Sequence, residues 1–108
     1  MDALVTRDDF DAAELDGWTW VDADVPYLEC GFAAETYTTA AAFALEVAKA
    51  SDAAVHHPDI DVRYQRFARV SLTTHGSGGI TQLDLDLAAE IGSLAAAADV
   101  TAGADVPR

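Results

Sequence analysis

Apolar residues recur at intervals of three and four in two long segments of the chain, the spacing of one face of an α-helix. The first segment, residues 37–51, is predicted to form a helix that Thr38 or Thr39 can cap. The second is predicted to begin at Thr81, and Asp84 three residues later completes a variant of the capping box. The inward stripes are Ala40, Phe43, Val47 and Ala50 or Ser51 in the first helix, and Leu83, Leu87, Ile91, Leu94 and Ala98 in the second.

Shorter segments predict a further helix and four strands. Residues 6–15 fit a helix, because Thr6 can cap it and Gly17 can end it. The strand candidates, which are rich in β-branched, aromatic or alternating residues, are 18–21, 27–32, 61–65 and 66–74.

The last strand candidate changes phase near its start. Val70 and Leu72 share one face at the two-residue period of a strand. Phe67 is out of phase with Val70, so a β-bulge near Ala68-Arg69 is expected to take up one extra residue.

The predicted order of elements is helix, strand, strand, helix, strand, strand, helix. Two hairpin-like strand pairs separated by helices indicate an α+β fold, a four-stranded antiparallel sheet with three helices packed on one face. We expect one domain over residues 1–98 and a tail over residues 99–108 that frays because it has little to bury. The edges of such a sheet need protection, and pairing of edges into a dimer is one hypothesis.

Charge is the most unusual bulk property of the chain. Its 108 residues include 19 Asp and Glu against 6 Lys and Arg, for a formal net charge of −13. A surface this acidic repels nucleic-acid phosphates and anionic lipids, which argues against both as partners. The balance is typical of proteins from salt-accumulating microbes, with an ordinary acidic protein as the alternative. Self-repulsion predicts a fold that is less stable at low salt.

The cysteine content and hydropathy predict a cytoplasmic protein. Cys30 is the only cysteine, so an internal disulfide is impossible and a reducing compartment is favoured. We expect no secretory leader, and no apolar run approaches the roughly 20 residues that cross a bilayer.

The three histidines all fall between residues 56 and 75. His56 and His57 precede one strand of the second predicted hairpin and His75 follows the other, so the hairpin brings them to one end of the sheet. Neighbouring residues in extended backbone point to opposite sides, so one of His56 and His57 faces a shared pocket more directly. Imidazole exchanges protons near neutral pH and also binds metals. Acid–base chemistry, a metal site and ordinary surface or capping histidines therefore all stay open at this point.

A longer, gapped motif surrounds these histidines. An acidic residue lies four positions before His-His-Pro, a tyrosine follows, and then come Thr-His, a Gly-Gly turn and an aspartate ahead of Leu-Ala. These residues are Asp52, His56-His57-Pro58, Tyr64, Thr74-His75, Gly78-Gly79 and Asp84. The motif closely resembles the signature of the pterin-4a-carbinolamine dehydratase family, and the resemblance extends over roughly residues 15–95.

The resemblance implies a hydro-lyase of pterin recycling that converts 4a-hydroxytetrahydropterin to quinonoid dihydropterin without a metal or other cofactor. It implies a small-molecule pterin as the partner and a homodimer or homotetramer as the assembly. The implied acid–base and substrate-orienting set is His56, His57 and His75. The implied substrate contacts are Trp18, Asp52, Pro58, Thr73, Thr74 and Asp84.

Several of these residues also have an ordinary structural interpretation. Asp52 can be a helix-end carboxylate, Asp84 a helix cap and Trp18 a core indole. For the whole protein, one alternative is a non-enzymatic dimerisation or binding module of the same fold. Another is a dehydratase-like protein acting on a different pterin, such as a molybdenum-cofactor precursor.

The sequence departs from the family pattern in two places. The interval from Tyr64 to His75 is one residue longer than usual, where the strand also changes phase. In the second strand, Cys30 and Gly31 stand where bulkier or charged residues are usual.

Overall fold

The centre of the molecule is an antiparallel pair of strands, β2 (Tyr27–Ala33) and β4 (Phe67–Leu72). β1 (Thr19–Val21) pairs with β2, and β3 (Asp59–Arg63) pairs with β4, which gives the order β1-β2-β4-β3. The structure is a computed structural model that describes residues 2–107.

Three helices pack against one face of this sheet. They are α1 (Arg7–Ala12), α2 (Tyr37–Ala54) and α3 (Gln82–Ala97). Alternate residues of β2 and β4 are buried beneath the helices, as the two-residue period requires; they are Leu28, Cys30, Phe32, Ala68, Val70 and Leu72. The helices add Phe10, Phe43, Val47, Leu87 and Ile91 to the same core. The predictions of an α+β fold, an antiparallel sheet and three helices are confirmed.

The sheet contains a fifth strand, so the prediction of four is wrong. β5 (Thr101–Ala102) pairs antiparallel with the end of β2. The predicted fraying of residues 99–108 is also wrong for the described part of that tail, because Val100 is buried in the core. The backbone N–H groups of Gly103 and Ala104 both donate to the carbonyl oxygen of Gly31, at 2.8 and 3.1 Å. Composition alone could not reveal these backbone partners.

Residues 103–107, which we call the C-terminal strap, cross the face of the sheet that the helices leave open. The strap fits because Gly31 has no side chain, since a Cβ there would lie 2.1 Å from the carbonyl oxygen of Ala104. This close approach explains the glycine in a strand position where the family pattern usually has a bulkier or charged residue.

The strap is also held by a buried arginine of β4. The Arg69 guanidinium donates to the carbonyl oxygens of Val106 and Pro107 at 3.2 and 3.4 Å. It also pairs with the carboxylate of Asp61 at 3.2 Å. These contacts connect β3, β4 and the strap across the open face.

The predicted bulge in β4 is not observed. The register of β4 with both neighbouring strands is continuous from Phe67 to Leu72. Phe67 lies on the open face, where the Arg66 guanidinium sits 5.3 Å from its ring centroid, and Ala68 points into the core. The apparent change of phase in the sequence of β4 is therefore explained by an aromatic residue that lies on the open face of the sheet.

The helix ends differ slightly from the predictions. The Oγ1 of Thr36, rather than Thr38 or Thr39, caps α2 by accepting from the Thr39 N–H at 3.0 Å. In α3, Leu83 is 37% exposed, and Leu85 belongs to the buried stripe in its place. No helix within residues 2–107 is long and apolar enough to cross a membrane.

Candidate active site

The end of α2 places His56 and His57. The helix stops at Val55, whose φ of 52° and ψ of 42° are left-handed. The His56 N–H donates to the Ser51 carbonyl at 3.1 Å, which closes the helix end in the manner of a Schellman motif. Pro58 then disfavours helical backbone at His57. The two histidines therefore leave the helix along a defined, non-helical path.

The His56 ring pairs with a buried carboxylate. Its Nε2 lies 2.5 Å from Oδ1 of Asp84, and the two side chains are 10% and 0% exposed. Asp84 lies in the first turn of α3, so this contact joins the start of α3 to the end of α2. An ionised carboxylate only accepts hydrogen bonds, so a hydrogen bond from His56 to ionised Asp84 requires a proton on Nε2.

The second oxygen of Asp84 is also fully engaged. Oδ2 accepts from the Thr74 hydroxyl at 2.8 Å and from the Thr81 N–H at 2.9 Å. The hydroxyl oxygens of Thr74 and Thr81 lie 2.9 Å apart. A carboxylate inside a protein requires such donors to offset the loss of water. Asp84 thus forms the capping box predicted for α3 and also binds His56, a contact for which the sequence gives no local signal.

His57 is paired in a very different environment. Its Nε2 lies 2.9 Å from Oδ1 of Asp52 in the last turn of α2. The two side chains are 61% and 78% exposed, so water and salt screen the pair. The two neighbouring histidines therefore each bind a carboxylate through Nε2, one inside the protein and one in solvent.

His75 opens a short 3-10 helix, His75–Ser77, which is separated from the end of β4 by Thr73 and Thr74. Its exposed ring lines a cleft of about 220 Å³ on the open face of the sheet. Asp59, two residues after His57, lines the same cleft, and Thr74, the residue before His75, binds Asp84. The remaining residues of the cleft include Tyr27, Glu29, Ser71 and Thr73.

The other expected substrate residues occupy varied positions. Trp18 lies in the core, with its ring edge-on to Phe32 at a centroid distance of 6.1 Å, and it does not line the His75 cleft. Within residues 2–107 its Nε1 has no hydrogen-bond partner. The Thr73 hydroxyl donates to the Pro26 carbonyl at 2.8 Å, and Pro58 is half-buried. A substrate contact stays a prediction for Trp18, Thr73 and Pro58.

The structure therefore joins His56, Asp84 and Thr74 in one network and pairs His57 with Asp52. It adds Thr81, which the sequence indicated only as a helix cap. Alternation along β2 could have placed Tyr27 and Glu29 on the open face, but no sequence signal paired that face with His75. In the described part of the chain, no three His, Cys, Asp or Glu side chains are grouped as metal ligands would be.

This arrangement is suited to moving protons. Imidazole can give or take a proton near neutral pH, and a carboxylate on one ring nitrogen fixes the tautomer and the ring orientation. A helix-covered antiparallel sheet with adjacent, carboxylate-paired histidines defines the class: an α+β domain with a candidate acid–base site.

The chain belongs to the pterin 4 alpha carbinolamine dehydratase family, whose model matches residues 3–94. A relative from Roseiflexus sp. (strain RS-1), named "Putative pterin-4-alpha-carbinolamine dehydratase", is 42% identical over 78 residues, which are 72% of this chain and 80% of the relative. A protein of the same name from Acidobacterium capsulatum is 50% identical over 58 residues, which are 54% of this chain and 62% of that one.

Two solved structures share the fold. A transcriptional coactivator/pterin dehydratase from Brucella melitensis is 28% identical, with a TM-score of 0.76 over 85% of this chain and 98% of that one. A pterin dehydratase-like protein described as a RuBisCO assembly factor in the alpha-carboxysome is 24% identical, with a TM-score of 0.61 over 73% of this chain and 89% of that one. At 24% identity, the second structure supports only a similarity of fold.

Proposed function

We propose that this protein catalyses the dehydration of a 4a-hydroxytetrahydropterin to the quinonoid dihydropterin. In this elimination the C4a–O bond breaks, the hydroxyl takes up a proton and leaves as water, and N5 loses its proton. The reaction needs one acid and one base that work near neutral pH, which is the chemistry that histidine supplies.

The observation that carries the proposal is the pairing of adjacent histidines with separate carboxylates, in a chain of this family whose third histidine, His75, lines a cleft on the open face of the sheet. His57 and His75 have exposed rings that a substrate can reach. His56 is mostly buried and held by Asp84, which suits orientation of the substrate or a proton transfer at the Nδ1 of its ring.

The three histidines are expected to contribute unequally. We expect the largest loss of activity for His57→Ala, a smaller loss for His75→Ala and the smallest for His56→Ala. A general acid or base typically contributes about 10²–10⁴-fold to the rate. Asp52, which pairs with His57, is expected to contact the substrate as well.

The test is a dehydration assay in high salt, which follows the loss of the ultraviolet absorbance of a freshly generated carbinolamine. The three single alanine variants are compared with wild type after circular dichroism has shown that each is folded. Lys49→Ala, which changes an exposed residue of α2, is the matched control and should retain wild-type rates. A folded wild-type protein that gives no acceleration would refute the proposal, and full activity in His57→Ala would refute the role assigned to that histidine.

A second candidate is a non-enzymatic binding module, because the 28% identical protein from Brucella melitensis is described as both a transcriptional coactivator and a pterin dehydratase. Tyr37 and Leu45 on α2 are each 55% exposed, which is consistent with a helix face that pairs in a homodimer or homotetramer. Light scattering after gel filtration measures this assembly. An intact oligomer with no activity on any 4a-hydroxypterin would favour the binding module.

A further inference from the structure

We infer that Thr74 and Thr81 are positioning residues, which hold the His56 ring in place through Asp84. The inference rests on the proposed function and extends it to two hydroxyl groups. The resemblance to the family would assign the first of them to the substrate, and the sequence pattern would assign the second only to a helix cap.

The direction of the hydrogen bonds follows from the number of available hydrogens. Thr74 has one hydroxyl hydrogen, and the Asp84 carboxylate can only accept, so Thr74 donates to Oδ2 at 2.8 Å. The Thr74 oxygen must then accept from the Thr81 hydroxyl, which lies 2.9 Å away. The result is a directed chain from Thr81 to Thr74 to Asp84 to His56.

This chain connects the parts of the fold that build the site. Thr74 follows β4, Thr81 and Asp84 open α3, and His56 follows α2. Hydrogen bonds in series polarise and strengthen one another, and they are stronger in a low-dielectric interior than in water. With Oδ2 fixed by Thr74 and the Thr81 N–H, Oδ1 is left to hold Nε2 of His56.

The burial of Thr81 distinguishes positioning from substrate binding. Thr81 is 0% exposed, so its hydroxyl is inaccessible to a substrate. The one hydroxyl hydrogen of Thr74 is already committed to Asp84, so donation from Thr74 to a pterin would require that this bond be broken. Positioning therefore predicts that loss of either hydroxyl has the same kinetic effect.

The kinetic test uses Thr74→Val and Thr81→Val. Each is expected to lower kcat by about 3- to 30-fold, because a hydrogen bond to a charged group is removed or weakened, and to leave KM within about twofold. Thr74→Ser and Thr81→Ser keep the hydroxyl and should restore most of the rate. A raised KM in Thr74→Val together with wild-type kinetics in Thr81→Val would overturn the inference and assign Thr74 to the substrate.

A second measurement does not depend on activity. In protein carrying ¹⁵N-labelled histidine, the Nε2 proton of His56 should give a resonance that exchanges slowly with water, identified by its absence in His56→Ala. Both valine variants should broaden or abolish this resonance and both serine variants should keep it. An unchanged resonance in the valine variants would overturn the inference. If the wild-type protein had no dehydratase activity but the valine variants still lost the resonance, only the proposed function would be refuted.

Thr36→Val separates positioning from helix capping. Thr36 caps the other end of α2 through its side chain, so its loss also removes a helix cap. This variant should be destabilised, as Thr81→Val is, yet keep the His56 resonance and a kcat within about twofold of wild type. If Thr36→Val lost the His56 resonance and had a lowered kcat, as Thr81→Val does, general destabilisation would explain the data and the inference would fail.

Discussion

Asp84 and His56 are 28 residues apart in the chain, yet their side chains meet at 2.5 Å with the carboxylate fully buried. Asp52 and His57 form the same kind of pair at 2.9 Å in solvent. The two pairs can therefore be compared within one protein, because two adjacent histidines bind carboxylates at opposite extremes of burial.

The first prediction is that Asp84→Asn destabilises the protein far more than Asp52→Asn. The buried amide cannot accept from every donor around Asp84, and breaking one partner of a buried pair costs about 3–5 kcal/mol. The exposed pair is worth about 1 kcal/mol or less. Urea denaturation of both variants measures the difference, and equally small losses would show that the buried pair contributes little.

Local patterns predicted the parts of the fold that local contacts determine. The stripe of Phe43 and Val47, and the capping box of Thr81 and Asp84, follow from spacing within one helix and were predicted correctly. The hydrogen bond from His56 to Asp84 was not predicted. It depends on how the end of α2 meets the start of α3, which no spacing within either helix encodes.

The errors have related physical causes. The tail of the chain has few apolar residues, so its composition predicted fraying. Its order comes from backbone hydrogen bonds to Gly31 and from carbonyl groups that face Arg69, neither of which composition reports. Phe67 indicates a bulge only if its aromatic side chain points inward, and it lies on the open face beside Arg66 instead.

The second prediction is that Gly31→Ala displaces the C-terminal strap. The added Cβ would lie 2.1 Å from a backbone oxygen, so the strap or β2 must move. We expect a loss of about 1–3 kcal/mol in the free energy of unfolding, typical of overpacking. Hydrogen exchange should also become faster in residues 103–107.

Gly92→Ala is the matched control for this substitution. A Cβ at Gly92 meets nothing within 4 Å, and the residue lies inside α3. Alanine in a helix interior is favoured over glycine by roughly 1 kcal/mol, so this variant should be as stable as wild type or more stable. Unchanged exchange of the strap in Gly31→Ala would contradict the close contact.

The third prediction concerns alkaline pH. Burial raises the pKa of the Cys30 thiol to about 11, above its value in an unfolded chain. Between these two pKa values the folded state binds more protons than the unfolded state. The contribution of Cys30 to the free energy of unfolding is therefore complete below about pH 8.5 and is lost as the pH rises toward 11. Denaturation across this range should show a steeper decline for wild type than for Cys30→Ala. Parallel curves would contradict this assignment.

The fourth prediction is that salt stabilises the protein through screening of its surface charge. The Debye length falls from about 10 Å at 0.1 M salt to about 3 Å at 1 M, so Tm should rise across this range of KCl. A variant with Asp24→Asn, Glu35→Gln and Glu90→Gln, all at exposed positions, reduces the net charge from −13 to −10. Its Tm should be higher than that of wild type at low salt and should rise less steeply, because less repulsion remains to be screened. A flat Tm in wild type, or equal slopes in the two proteins, would show that self-repulsion does not limit the stability of this fold.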